Sequence, residues 1–242
     1  MTPEEMVSRL LYRDGLMLVI DKPAGLPVHR GPKGGESLED HFGALRFGLP
    51  RAPALAHRLD RETSGCLVLG RHRKALVSLG KLFKNGQVGK TYWAIVEGTP
   101  DTHEGRIDLP LGRRDETRGW WMKVDPAGLP SVTTWKVMGR AEGKTWLALE
   151  PVTGRTHQLR VHCAAMGWPI LGDSIYGNAP REGGPVLHLQ SREIMVPLYR
   201  NKDVIAVTAP VPQHMRETLK ACGWDGVEKA VDAQRAQQAE RA

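Results

Sequence analysis

Cysteine is scarce: Cys66, Cys163 and Cys222 stand far apart, and no C-x-x-C pair occurs. This excludes a disulfide framework and a cysteine zinc site, and it fits a reduced cytoplasm. Long apolar runs are missing too. No stretch approaches the length needed to cross a bilayer, so no membrane span is expected. A charged start followed by a long apolar run is lacking, so no secretory signal is expected. No internal repeat of solenoid or propeller spacing is found.

What is present suits a soluble globule. Hydrophobic residues make up 40% of the 242 residues, enough for one large or bilobed core. The 27 glycines and 17 prolines point to many turns and a β-rich chain. Lys and Arg number 34 against 27 acidic residues, a net charge of +7. Such a balance gathers polyanions. RNA is the first candidate and an acidic membrane surface the second.

The local pattern alternates strands with a few helices. Leu16 to Ile20 reads as a buried strand stopped by the turn Asp21-Lys22-Pro23-Ala24-Gly25. Ser37 and Asp40 suggest a capping box ahead of Leu38, Phe42 and Leu45. Cys66 to Leu69 and Thr91 to Val96 read as strands, with a helix over Lys74 to Phe83 between them. Val132 to Met138 and Thr145 to Leu149 suit a hairpin turning at Glu142-Gly143. A helix is expected from Thr156 to Met166, with Thr156 as N-cap and Gly167 past its end. Val186 to Leu189 and Val204 to Val207 are further strand candidates. Residues 1–9 read as a polar lead. After Pro212 the chain turns polar and helix-prone, and its last residues read as frayed or disordered. This order favours α+β with a largely antiparallel sheet over βαβ units.

Four segments carry potential chemistry. His57-Arg58-Leu59-Asp60-Arg61-Glu62-Thr63-Ser64-Gly65 sets one carboxylate between two arginines, where it can act as nucleophile or base. Read blandly, it is a solvated charged loop. Gly154-Arg155-Thr156-His157-Gln158-Leu159-Arg160-Val161-His162 places Arg155 at the mouth of a helix, a ready anion site; the bland alternative leaves Arg155 and Arg160 in solvent. His157 and His162 do not share the spacing of a helical metal pair. Lys90-Thr91-Tyr92 sets Tyr92 early in a strand, where it can stack on a base or serve as a plain sheet residue. Lys22, in Asp21 to His29, reads by itself as a surface charge.

Taken in order, these segments resemble the conserved blocks of the RluA family of pseudouridine synthases. Asp-Lys-Pro-Ala-Gly-Leu at 21–26, the block around Asp60, Lys-Thr-Tyr at 90–92 and Gly-Arg-Thr-His-Gln-Leu-Arg-Val-His at 154–162 carry the resemblance. Pro169 to Asp173 with Tyr176-Gly177, then Leu187-His188-Leu189, resemble the closing blocks, although Leu189 stands where the family has a small residue. The similarity runs over residues 11–210, and the S4-type domain of some members has no room ahead of residue 16.

The resemblance implies a bilobed α+β fold with a mainly antiparallel central sheet and peripheral helices. It implies a lead at 1–10, a catalytic domain at 11–212 and a helical or partly disordered tail at 213–242. The implied activity is conversion of a specific uridine to pseudouridine in structured RNA, without metal or cofactor. By carry-over, Asp60 starts the reaction, Arg155 holds its carboxylate, and Tyr92 stacks on the uracil. Arg58 fills the space that the extruded base vacates, and Lys22 and Leu187 belong to the substrate-binding set. The partners implied are 23S ribosomal RNA and/or tRNA, met by a monomer. The basic stretch Arg113–Lys123, with Trp120 and Trp121, is expected to touch flanking RNA or to pack its tryptophans inward. A non-catalytic RNA binder and an Asp60 hydrolase are the rival readings. The hydrolase needs a second carboxylate, for which Glu62 is the near candidate.

Overall fold

The computed structural model describes residues 1–31, 34–115 and 121–228. In chain order the elements are α1 (Pro3–Ser8), β1 (Leu10–Arg13), β2 (Met17–Lys22), a 3-10 helix (Leu38–Leu45), β3 (Ala54–Leu55), β4 (Ser64–Gly70), α2 (Arg73–Lys84) and β5 (Gly89–Glu97). Then come β6 (Glu104–Asp108), β7 (Leu111–Arg113), β8 (Met122–Val124), β9 (Val132–Ala141), β10 (Lys144–Pro151), α3 (Gln158–Ala165), β11 (Leu189–Val196), β12 (Ile205–Thr208) and α4 (Gln213–Ala221). The fold is α+β, dominated by antiparallel strand pairs. The chain divides into two compact units.

The first unit takes Met1–Lys90 and Ser191–Val211, with Glu228. Here β2 pairs antiparallel with both β1 and β4, and β3 and β12 pair with β4 and β11. Strands β2 and β4 are buried on both faces, which is why Leu18 to Ile20 and Cys66 to Leu69 read as continuous apolar runs. One face packs Met17, Val19, Cys66 and Val68 against Leu79 of α2, with Val88, Ile194 and Val207. The lead at residues 1–9 is a capped helix: Glu5 N–H donates to the Thr2 hydroxyl, and the Glu5 carboxylate accepts Thr2 N–H in return. Asp40 accepts Ser37 N–H, the return bond of the expected box, and the Ser37 hydroxyl donates to the same carboxylate. The helix that follows is of the tighter 3-10 kind, with Asp40 N–H bonded to the Ser37 carbonyl.

The second unit takes Thr91–Gln190 and Pro212–Val227. Strand β10 pairs antiparallel with β5 and β9, and β9 with β6, while β7 and β8 form a separate hairpin. Its core joins Ala94, Val96, Trp135, Leu147 and Leu149 to Leu159 and Cys163 of α3, with Trp168, Ile170, Leu187 and Leu189. On the other side, Trp93 meets Trp146 edge-on at 4.6 Å and Trp224 at 6.4 Å. Met215 and Leu219 of α4 are fully buried there. Gly139 of β9 lets α4 come close: a Cβ at that position would lie 1.7 Å from the Cys222 carbonyl oxygen.

Two local expectations are corrected, at α3 and at β11. Helix α3 starts at Gln158, and its N-cap is His157 in the left-handed region (φ 53°), not Thr156. Among the described residues no side chain caps α3; the Gln158 side chain instead bonds the loop that precedes it. Strand β11 begins at Leu189 rather than Val186, because its buried stretch Gln190, Ser191 and Arg192 is polar and gives no apolar signal. Past Pro212, the first turns of the expected tail are the packed helix α4; residues 229–242 lie outside the described residues.

Candidate active site

Asp60 sits in a turn closed by Thr63 N–H donating to the Asp60 carbonyl at 3.1 Å. What fixes that turn is Lys22. Side chains alternate along β2, so Lys22 follows Leu18 and Ile20 to the inner face. It is fully buried, which corrects its reading as a surface charge. Its ammonium donates to the carbonyls of Pro23, Arg61 and Thr63, each at 2.8 Å. A buried ammonium survives only with such partners. Burial pushes its pKa down to about 7, while Glu62, Asp60 and Asp21 pull the other way.

The first block thereby frames the second. Gly25, at φ 85°, donates its N–H to the Arg61 carbonyl at 2.9 Å, and Arg61 Nε returns a bond to the Gly25 carbonyl. The left-handed φ suits glycine there. Behind the turn, His57 Nε2 accepts Val68 N–H at 2.9 Å, and the ring stacks on Phe83 at 4.5 Å. Burial, then the Lys90 charge, pushes its imidazole down to about 3, so it stays neutral and structural. Arg58 is exposed. Glu62 pairs with Arg61 at 3.3 Å.

The second unit positions Tyr92 and Arg155. Tyr92 lies on β5 opposite Leu149 of β10 and packs against the cluster that contains Leu187. Leu187 itself is buried in that core. Arg155 is exposed in the loop before α3. Its backbone is held by Gln158, whose Oε1 accepts Arg155 N–H at 3.0 Å and the Thr153 hydroxyl at 2.7 Å. Arg155 Nε donates to the Pro130 carbonyl at 3.3 Å. The Gln158 amide donates to Val132 O and Thr133 Oγ1, and Thr133 in turn meets His162 Nδ1 at 2.9 Å. His162 Nε2 reaches the Leu109 carbonyl at 3.0 Å, so both ring nitrogens of His162 are engaged within the fold. Among the described residues no group of His, Cys, Asp or Glu could hold a metal ion.

For Arg160 the bland alternative, a side chain in solvent, does not hold. Arg160 is 4% exposed and forms a two-pronged pair with Asp173, at 2.7 and 2.8 Å. Asp173 further accepts the N–H groups of Ile175 and Tyr176. Arg160 and these N–H groups hold its carboxyl below the usual range despite burial. The Tyr176 hydroxyl then meets His157 Nδ1 at 2.8 Å and accepts Met122 N–H at 2.9 Å. This support pins the strained His157 and ties the Arg155 loop to the β7–β8 hairpin. The closing sequence block thus has a role that its residues alone did not disclose.

Comparison with known proteins agrees with this architecture. The family model for RNA pseudouridylate synthase matches residues 16–165. A Zymomonas mobilis protein named as an uncharacterised RNA pseudouridine synthase is 42% identical over 210 residues, covering 86% of this chain and 95% of its own. This chain belongs to the RluA family of RNA pseudouridine synthases. Ribosomal large subunit pseudouridine synthase C of Haemophilus ducreyi is 35% identical over 89% of this chain and 69% of its own. The solved structure of human RNA pseudouridylate synthase domain containing 4 superposes with a TM-score of 0.76 at 26% identity, covering 91% of this chain and 95% of that one. The chain is accordingly an RNA pseudouridine synthase, an isomerase that acts on uridine in RNA. No described helix is long and apolar enough to cross a membrane.

Proposed function

We propose that the enzyme isomerises a specific uridine in structured ribosomal and/or transfer RNA, in the cytoplasm and as a monomer, with Asp60 as the catalytic carboxylate. The reaction breaks the N1–C1′ bond, turns the uracil, and joins C5 to C1′. The C5 proton leaves and N1 gains one, so no outside reactant enters. A uridine in a stem or loop must leave its stack first. Arg58, exposed two residues before Asp60, is the side chain assigned to the vacated space. Tyr92 is assigned to stacking on the uracil and Arg155 to holding the catalytic carboxylate.

The observation that carries this reading is the investment around one turn. A fully buried lysine spends all three of its protons on carbonyls, two of them within three residues of Asp60. An ordinary solvated loop needs no such anchor. The same lysine cannot itself reach substrate from that position, so its part in binding is to shape the turn. Leu187 is buried in the cluster against which Tyr92 packs, and its assigned part is to shape that core.

Carbodiimide labelling with primer-extension stops on RNA treated with pure enzyme tests the assignment. Wild type should create new stops. Asp60→Ala should create none, with RNA affinity within about threefold of wild type. Stops of equal strength from that variant would reject Asp60. Total RNA from a deletion strain would name the site.

A further inference from the structure

We propose that Arg114 and Arg181, gathered at Trp121, form a phosphate clamp for RNA flanking the target nucleotide. This rests on the reading above, that the substrate is structured RNA. All three residues belong to the second unit. The guanidinium carbons of Arg114 and Arg181 lie 5.6 and 5.4 Å from the Trp121 ring centroid. Both arginines are exposed, whereas Trp121 is only 8% exposed. Trp121 therefore packs inward and presents its two cations outward.

Two like charges held against one ring repel each other. The indole offsets part of that cost. A carboxylate would offset more, yet neither arginine has an ion pair among the described residues, although Asp115 and Glu182 are their chain neighbours. Guanidinium groups left in this state suit a phosphate, which they bind through paired N–H donors.

The mounting is firm. Arg114 N–H donates to the Trp121 carbonyl at 2.7 Å, across the mouth of the β7–β8 hairpin. The next residue, Met122, donates to the Tyr176 hydroxyl, which is tied to His157 beside Arg155. Arg181 lies five residues beyond Tyr176. Consecutive hairpin residues thus grip one loop, and that loop is anchored by the buried Arg160–Asp173 pair. Phosphate contacts of this kind set register on the RNA rather than read its bases.

The test uses full-length enzyme and a labelled RNA stem-loop that the wild type modifies, with binding followed by anisotropy across a salt series. The double variant Arg114→Gln/Arg181→Gln should raise Kd about tenfold. It should also flatten the log–log salt dependence by about 1.5, as expected when two phosphate contacts are lost. Turnover at saturating RNA should stay within about twofold. Lys84→Gln, an exposed cation on α2, should leave Kd and slope near wild type. An unchanged Kd and slope in the double variant would overturn the clamp, and would leave the pair free to serve an acidic protein partner instead. Equal losses in Lys84→Gln would also overturn it, by showing only diffuse charge. A drop in turnover with Kd intact would do the same. If wild type modified no RNA at all, the substrate reading would fail before the clamp was tested.

Discussion

The two units hold their functional loops by different means. In the first, one ammonium faces three neutral carbonyls, and no carboxylate among the described residues bonds to it directly. In the second, a guanidinium and a carboxylate are matched in a buried fork, Asp173 also accepts Tyr176 N–H, and the Tyr176 hydroxyl meets His157, two residues past Arg155. The first device relies on a single group that burial makes easy to deprotonate. The second relies on a residue that stays charged at any ordinary pH. One loop should therefore respond to pH near neutrality, and the other should not.

The sharpest way to break this contrast is Asp173→Ala. It leaves Arg160 charged and buried without its partner and strips two N–H groups of their acceptor. Stability should fall by about 3–5 kcal/mol, read by urea denaturation. A loss under about 1 kcal/mol would mean that the fork holds little. Lys22→Met comes next. It takes the ammonium away from the carbonyls of Pro23, Arg61 and Thr63, of which Arg61 keeps the Gly25 N–H, and should cost about 2 kcal/mol and at least about tenfold in pseudouridine formation, with RNA affinity less affected. Activity near wild type would remove Lys22 as the anchor of the Asp60 turn.

The smallest effect is the pH slope. The unfolded chain keeps the Lys22 proton to about 10.5, and the folded chain only to about 7. Between those values the unfolded state binds more protons, so the stability linked to Lys22 rises with pH. The gap between wild type and Lys22→Met should widen by up to about 1.4 kcal/mol per pH unit above neutrality. Parallel urea titrations at about pH 7.5 and about pH 9 read this directly. A constant gap would show that the ammonium keeps its proton throughout.

Much of this was legible beforehand. The β9–β10 hairpin and α2 follow from residue order and period, and the blocks around Asp60, Tyr92 and Arg155 stand out through their resemblance to the family. One feature had an available signal: Thr2 with Glu5 spells a capping box. Lys22 had none, because β2 is buried on both faces and its residues show no alternation of apolar and polar. Other features had none either. The Arg160–Asp173 pair joins side chains of a helix and a loop, and no periodicity announces it. His157 takes a left-handed backbone that its type rarely adopts. Strand β11 hides its buried centre behind Gln190, Ser191 and Arg192, where Arg192 is matched to the Ala209 carbonyl and to Glu228. Such positions are decided by tertiary partners, which a single sequence does not display.

Gly139 sets the seating of α4. With a main-chain carbonyl pressed against a residue that has no side chain, the helix end rests backbone on backbone. Such a stop does not yield, and it keeps the helix from settling inward if its own apolar residues shrink. A void made at Leu219 would stay open rather than collapse, which places its cost toward the upper end of the usual span of about 2–5 kcal/mol.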